Sequence, residues 1–572
     1  MELRADTAGL LSRVALLLAA VAAAVALAAP APAQAAVAAT PELKAPDSFT
    51  RAPAGYRMSA RQVQRVADRS DEVRSERLEH RDFDPSVYTR GPGRWQVSYF
   101  DGDREVAQVR VDDATGAVLE AWTGDQVAWT MARGYEGAFG RKLNSPWVWI
   151  PLCLAFLIPF VDPRRPFRLL HLDLLVLLAF GASHVFFNRG EIGVSVPLVY
   201  PVLLYLLVRL VMAGIRPRRD RGRLIPLFPV AWVAIALVLL VGFRVGLNVT
   251  DSNVIDVGYA GVIGADRIVD GDGLYGSRFS EDVERGDTYG PVNYLLYVPF
   301  EQTMPWSGAW DDLPAAHAAA LAFDLLTLAG LVLLGMRLRP GAAGYELGVA
   351  LGFAWAAYPY ALFALETNSN DSLVGLFTVA AMLALTLPPA RSAAGRAAAV
   401  ALGAGAKFAT LALAPLMAAG TGGRRVRDGL LFTVVLVVVL AAVFLPFLPD
   451  GGLREIYDRT VGYQASRPSP FSVWGQVDSL GWLQTAVKVG TAGLALAVAF
   501  VPRRRDAFQV AALGAAVVIA VQLTVSHWFY LYIVWFAPLA LVALMAPWRT
   551  GPERDDRAPA APGQAERPAV TA

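Results

Sequence analysis

NVTDSNVIDVGYAGVIGADRIVDGDGLYGSRFSEDVERGDTYGPVNYLLYVPF occupies residues 248–300 of the chain. It follows a long apolar run and is dense in Asp, Tyr and Gly, with little Ser, Lys or Gln. A loop of this length between apolar elements is either functional or disordered. This composition argues for an ordered binding loop. To either side, apolar runs recur at the length that crosses a bilayer, about 20 residues. The fold class read from this pattern is a mainly α, polytopic membrane protein with the loop lying at the membrane surface.

Composition agrees. The chain has 572 residues, 55% hydrophobic and 17% charged, with a positive mean hydropathy. Those proportions fit a membrane protein and not a soluble enzyme. A net charge of +2 gives no bulk electrostatic reason for a nucleic-acid partner. The single cysteine, Cys153, excludes an intramolecular disulfide, and five scattered histidines leave no Cys/His zinc cluster.

Residues 1–35 carry Arg4 and Arg13, then LLLAAVAAAVALAA, then Ala33-Gln34-Ala35. That is the pattern of a secretory signal peptide, or of a signal anchor if it is not cleaved. Residues 40–145 are polar and read as a small α+β domain outside the cytoplasm. Val63, Val66 and Ala67 have helical spacing; Trp95, Val97 and Tyr99 alternate with polar residues, as do Ala107, Val109 and Val111. Asp101-Gly102-Asp103 and Asp113-Ala-Thr-Gly116 supply turns. The stretch RWQVSYFDGDREVAQVRVDDATGAVLEAWTG resembles a PepSY-type module, which implies binding or regulation outside the cell. A spacer without activity is the bland alternative, and no catalytic set is visible here.

Residues 146–548 read as about 11 spans, near 147–162, 169–187, 193–213, 224–246, 314–336, 344–364, 372–388, 429–447, 482–501, 507–525 and 528–547. The apolar segment 395–420 is interrupted by Gly403, Gly405, Lys407 and Pro415. Arginine clusters at 164–168, 216–219, 337–339, 424–427 and 503–505 belong on the cytoplasmic side. Only a hairpin or re-entrant segment at 395–420 keeps them all there. Loops 188–192, 247–313, 365–371 and 448–481 then face outward, and residues 549–572 form a disordered cytoplasmic tail.

Chemistry therefore concentrates on the outer face. DVGYAGVIGADRIVDGDGLYG, followed by DTYGPVNYLLYVPF, resembles the first outer loop of GT-C-type membrane glycosyltransferases, closest to the family-87 polyprenyl-phosphate-dependent mannosyltransferase group. The matching positions are Asp256, Tyr259, Gly271 to Tyr275, and Tyr289-Gly290-Pro291; Gly290 departs from the group, where a second Pro is common. Weaker matches follow in order: Glu366-Thr-Asn-Ser-Asn370-Asp371, Lys407 in GAGAKFATLALAPL, and Tyr463 to Trp474 with Arg467. The likeness covers roughly residues 224–547.

The resemblance implies transfer of a sugar, mannose or another hexose or pentose, from a polyprenyl-phosphate donor to a lipid or glycan acceptor of the bacterial cell envelope. It implies Asp256 as the base that takes the acceptor proton in one inverting step. Arg467 and Lys407 would hold the phosphate, and Tyr259, Tyr275 and Tyr289 would line the sugar or lipid path. Asp251, Glu366 and Asn370 are further substrate-binding candidates. No metal and no cofactor are expected, the lipid-linked sugar being the donor substrate.

Each residue also has a plainer reading. Asp256 and Asp251 could cap helices, Lys407 could snorkel to the inner surface, and His527 could be interfacial. Asp270-Gly-Asp272-Gly lacks the remaining ligands of a calcium loop and reads as a turn. Asn248-Val-Thr250 reads as a chance glycosylation sequon. Two rival functions stand beside the first. A transporter or flippase of lipid-linked saccharides should show paired repeats with broken helices, and only 395–420 is clearly broken. A membrane sensor would have no use for so many spans or for the acidic loop.

Overall fold

The computed structural model describes residues 43–551, apart from 81, 135–138, 218–221, 277–278, 280–284, 309–312, 423–425 and 468. The expected signal segment at 1–35 lies outside the described residues.

The N-terminal unit is a five-stranded antiparallel meander, β1 (Leu43–Lys44), β2 (Asp84–Arg90), β3 (Arg94–Asp101), β4 (Arg104–Asp112) and β5 (Val118–Thr123), with neighbours in sequence order. Helices α1 (Ala60–Ala67) and α2 (Asp71–Glu79) cover one face. Trp95, Val97 and Tyr99 pair with Val111, Val109 and Ala107. All six are fully buried with Val63 and Ala67. Burying each large side chain contributes roughly 1.5–3 kcal/mol. Gly102, at φ +60°, closes the β3–β4 hairpin. Asp113 fastens helix side to sheet, accepting from the Trp95 indole at 2.8 Å and the Met58 amide at 2.9 Å.

This unit ends sooner than the expected boundary at 145. Its own core stops at Ala121. Ala132 and Leu143 belong to the core of the helical domain instead. Residues 124–134 and 139–145 thus form a strap on the helices. Gln126 donates to the Gly190 carbonyl at 3.2 Å, and Gly134 packs so tightly on Gly190 that a Cβ would lie 2.2 Å from its nitrogen.

The helical domain comprises α3 (Pro146–Leu157), α4 (Leu169–Asn188), α5 (Ile192–Ile215), α6 (Val230–Asp251), α7 (Asp256–Asp270), α8 (Pro314–Leu338), α9 (Gly341–Ala357), α10 (Pro359–Glu366), α11 (Ser372–Leu385), α12 (Pro389–Ala406), α13 (Val426–Phe444), α14 (Gly481–Ala497), α15 (Ala507–Gln522) and α16 (Ile533–Met545), with shorter turns between. Among the described residues, α4, α5, α6, α8 and the run Val426–Phe447 are long and apolar enough to cross a membrane alone. Other expected spans are shorter or broken. The run at 344–364 bends by 56° between α9 and α10, where Pro359 cannot continue the ladder. Only 11% of α6's apolar window and 6% of that in Val426–Phe447 are buried. Trp232, Ile235, Val238, Leu430, Val434 and Val437 are all exposed. Apolar surface of that extent calls for lipid, not water.

The bundle interior holds a buried charge pair. Arg244 on α6 forks onto Asp324 on α8 at 2.5 and 3.1 Å, and the Trp355 indole of α9 donates to the same carboxylate at 2.9 Å. All three are fully buried, so the pair locks three helices together; unpaired, such charges at membrane depth would cost several kcal/mol.

The segment 395–420 does reverse. After α12 the backbone becomes extended at Lys407 and returns as a 3-10 helix, Phe408–Leu413, and a short helix, Ala414–Ala419. Arg396 in the first arm donates to the Met417 carbonyl in the second. The hairpin tip is Lys407. Arginine-bearing turns gather at the end away from it. Arg168 donates to the Arg223 carbonyl at 2.8 Å, Arg339 to the Ala546 carbonyl at 2.7 Å, and the Arg505 amide to the Thr421 carbonyl at 3.0 Å. The expected tail is ordered at its start: the Arg549 amide bonds Gly222 and the Gly551 amide bonds Glu346.

Candidate functional site

The site is built where α7 begins. Two segments run side by side: the Asn253 amide donates to the Glu366 carbonyl at 3.0 Å and the Ile255 amide to the Thr367 carbonyl at 3.2 Å. Asn368 staples them, donating to Ser252 Oγ and the Asn253 carbonyl, both at 2.9 Å. It sits at φ +48°, a conformation Asn tolerates better than most residues. This fixes Asp256, the first residue of α7, and Asp371, which ends the short loop. Gly258, Gly261 and Gly264 form the face of α7 that meets Asn368, Tyr297 and Tyr294, each too close to admit a Cβ.

The hairpin tip enters from the membrane. Lys407 Nζ lies 2.5 Å from Asp371 Oδ1, and the Trp535 indole donates to the same oxygen at 2.7 Å. The ammonium is ringed by Tyr289 at 5.3 Å, Trp535 at 5.3 Å and Tyr532 at 5.9 Å from the ring centres. Tyr289 is held at both ends of its peptide unit: its amide donates to Tyr294 Oη at 3.2 Å and its carbonyl accepts from Tyr275 Oη at 2.8 Å. Gly290 makes the approach possible, because a Cβ there would lie 2.1 Å from the Gly405 carbonyl oxygen. That contact accounts for a glycine at this position.

Asp256 is exposed, yet protein surrounds its carboxyl. Burial pushes the carboxyl above its ordinary range; Arg467, the Val257 amide at 2.9 Å and Lys407 oppose this, and Asp371 adds to it. Arg467 approaches from the second long loop. Its guanidinium carbon lies 4.7 Å from the Trp129 ring, which belongs to the strap, and 5.9 Å from Tyr463. Among the described residues no carboxylate lies within ion-pair distance of it. His527 is beside it, bonded to Ser469 Oγ at 2.9 Å. Burial and then Arg467 push its imidazole down to about 3, so it is neutral and structural.

The second long loop is docked on the first through Asp287, which is nearly inaccessible. Arg459 pairs with it at 2.8 Å and also reaches Glu455 at 3.2 Å, while Gln464 donates to Thr288 at 2.8 Å.

Asp256, Tyr289, Lys407 and Arg467 therefore cluster at one place. The other candidates do not enter it. Asp251 is the last residue of α6 and is held by Lys142, through the amide at 2.9 Å and the ammonium at 3.3 Å. Tyr259 is buried against Trp306, and Tyr275 is a buried strut for Tyr289. Asn370 is buried and donates to Asn293 at 2.7 Å. Glu366 is buried with its carboxyl facing Arg244, Asp251 and Asp324. Asn248 is inaccessible and bonded to Asn368, so it cannot accept a glycan. Gly271, at φ +79°, caps α7, and Asp270-Gly-Asp272 is a turn. Asp371, from the matched stretch Glu366–Asp371, joins the cluster, and Tyr532, Trp535 and Trp129 complete it without having been candidates.

Among the described residues no three His, Cys, Asp or Glu side chains converge as metal ligands. Lys407 and Arg467 bring positive charge to Asp256, and Lys407 also pairs with Asp371.

No family model and no curated protein matches the chain. Among solved structures, the crystal structure of ArnT from Cupriavidus metallidurans bound to undecaprenyl phosphate aligns with it at a TM-score of 0.40 and 15% identity, over 56% of this chain and 60% of that one. The alignment thus spans less than two thirds of that protein.

Proposed function

We propose that this chain is an integral-membrane glycosyltransferase that moves a sugar from a polyprenyl-phosphate donor to a hydroxyl of a cell-envelope acceptor on the outer face. The observation that carries this reading is the juxtaposition of Asp256 with Arg467, which among the described residues makes no ion pair at contact distance, beside the Lys407–Asp371 pair. A carboxylate at a pocket wall is suited to take a proton, and an uncommitted guanidinium beside it is suited to a phosphate.

In the proposed step Asp256 takes the proton of the acceptor hydroxyl as its oxygen attacks the anomeric carbon. The new carbon–oxygen bond forms as the bond from that carbon to the phosphate oxygen breaks, inverting the carbon. The electron pair leaves with the polyprenyl phosphate, whose added charge Arg467 meets. Lys407 is committed to Asp371, so its role is to hold the pocket's shape and to add positive field, with Tyr289 lining the entrance. Mannose is the sugar favoured by the sequence resemblance, and the N-terminal unit would act as a binding module.

The test is transfer in membranes supplied with labelled polyprenyl-phosphate mannose and total envelope acceptors, comparing the native chain with Asp256→Asn at matched expression. Asn keeps the bond from the Val257 amide but cannot act as base, so transfer should fall about 10²–10⁴-fold with folding intact. Equal transfer by both chains would remove Asp256 from the chemistry. Transport of the lipid-linked sugar without transfer would favour a flippase.

A further inference from the structure

A second site lies at the arginine-rich end, away from Asp256. A cavity of about 1160 Å³ opens there between helix termini. It is bounded by Leu169 at the start of α4, Met212 and Arg216 at the end of α5, Arg339 after α8, Phe508 in α15 and Arg549 after α16. Its walls are divided: Leu169, Met212 and Phe508 are apolar, and Met212 is exposed.

The arginines differ in what they already do. Arg339 is fixed, donating to the Ala546 and Trp548 carbonyls and to Thr550 Oγ1 at 2.7–2.8 Å. Among the described residues it makes no direct ion pair, and the Glu346 carboxylate acts on it only at longer range. Arg209, also on the wall, is neutralised by Asp173 at 2.9 Å. Asp506, the one carboxylate among the described wall residues, caps the α15 amide of Gln509 at 2.8 Å. Arg216 and Arg549 are exposed and make no side-chain ion pair among the described residues. The cavity therefore has two free guanidiniums and one fixed one above an apolar wall, at the level where the membrane helices end.

We infer that this cavity binds the headgroup of an anionic phospholipid from the leaflet on the arginine-rich side. The phosphodiester would sit between Arg216 and Arg549, and an acyl chain would lie along Met212 and Leu169. Guanidinium forks match phosphate oxygens, and basic pockets between membrane helices on the cytoplasmic side bind anionic headgroups. A free phosphate offers the same oxygens without the acyl chain, so the apolar wall is what favours a lipid. The inference does not depend on the sugar-transfer reading.

The test is native mass spectrometry of the purified full chain in detergent, with phosphatidylglycerol and phosphatidylcholine of identical acyl chains in competition. The native chain should retain phosphatidylglycerol over phosphatidylcholine by about tenfold or more, from two arginines near the surface. The double variant Arg216→Gln/Arg549→Gln should lose most of that preference, and Arg216→Lys/Arg549→Lys should keep most of it. Both residues are exposed, so neither pair threatens folding. Equal retention of the two lipids, or an unchanged preference in the Gln pair, overturns the site. Displacement of the bound phosphatidylglycerol by millimolar inorganic phosphate alone overturns the lipid assignment in favour of a small-anion site.

Discussion

Lys407 at the tip of the hairpin and Asp371 at the end of the five-residue loop between α10 and α11 meet at 2.5 Å, almost wholly buried. Neither charge would be stable there alone. Their meeting sets where the hairpin stops and how deep the pocket is. Replacing Lys407 by Met leaves Asp371 with only the Trp535 indole. The unpaired carboxylate should cost about 3–5 kcal/mol, read as a lowered unfolding temperature. Lys407→Met/Asp371→Leu should recover most of that stability while transfer stays at least about 100-fold down, since the positive field at Asp256 is not restored. Full activity in the double variant would show that the pair is structural only.

The rate should carry an acidic limb set by Asp256. Its carboxyl is raised by burial and lowered by Arg467, so kcat/KM should climb with pH through a midpoint above the ordinary Asp value of about 3.9. Removing the guanidinium in Arg467→Gln should move the midpoint further up, and the variant should bind donor less well. For stability the sign is opposite. A raised carboxyl favours the protonated folded state, so the contribution of Asp256 is present at low pH and is lost as pH rises through the folded value. A pH–rate profile of the two proteins checks the first statement, and unfolding against pH for Asp256→Asn checks the second.

Much of this arrangement was legible because the chain marks it with residues that are out of place. Asp256 after an apolar run, Lys407 inside one and Arg467 in a loop expected to face outward each break a pattern, and the three come together. Asp371 and Trp535 were harder to see, because their meaning is a contact across 164 residues. Asp251, Tyr259 and Tyr275 have the right chemistry for a site but are taken up by Lys142, Trp306 and Tyr289; only tertiary packing decides between those uses. Pro359 bends by 56° the run at 344–364 that composition alone reads as continuous, whereas the interruption at Gly403–Lys407 was already visible in the sequence.

The strap gives the N-terminal unit a direct connection to the pocket. Trp129 covers the Arg467 guanidinium at 4.7 Å and also packs on Phe471 and His527. A cation–π contact of this kind is worth about 0.5–2 kcal/mol. Trp129→Ala should therefore raise KM for the lipid donor about 2- to 30-fold with a smaller change in kcat. Trp129→Phe, which keeps a ring face, should return most of the loss. A variant that lowers expression or unfolding temperature without changing KM would assign Trp129 to packing alone.

Gly290 offers the sharpest test of how the pocket is assembled. Its backbone, at φ −75° and ψ 160°, is open to any residue, so conformation does not require glycine there. Space does: a Cβ would sit 2.1 Å from the Gly405 carbonyl, far inside contact distance, and both partners are backbone. Gly290→Ala must push the first outer loop and the hairpin tip apart, separating Tyr289 from Lys407. Overpacking of this kind costs about 1–3 kcal/mol or more, and transfer should fall at least about tenfold because misplacing the pocket by an ångström is enough to do so. Gly290→Pro should behave no better, since its ring carries the same Cβ. Gly429, with nothing within 4 Å of its Cβ position, is the control, and Gly429→Ala should leave both unfolding temperature and transfer unchanged. If Gly290→Ala matches that control, the outer loop and hairpin tip are not in backbone contact and the pocket must be assembled differently.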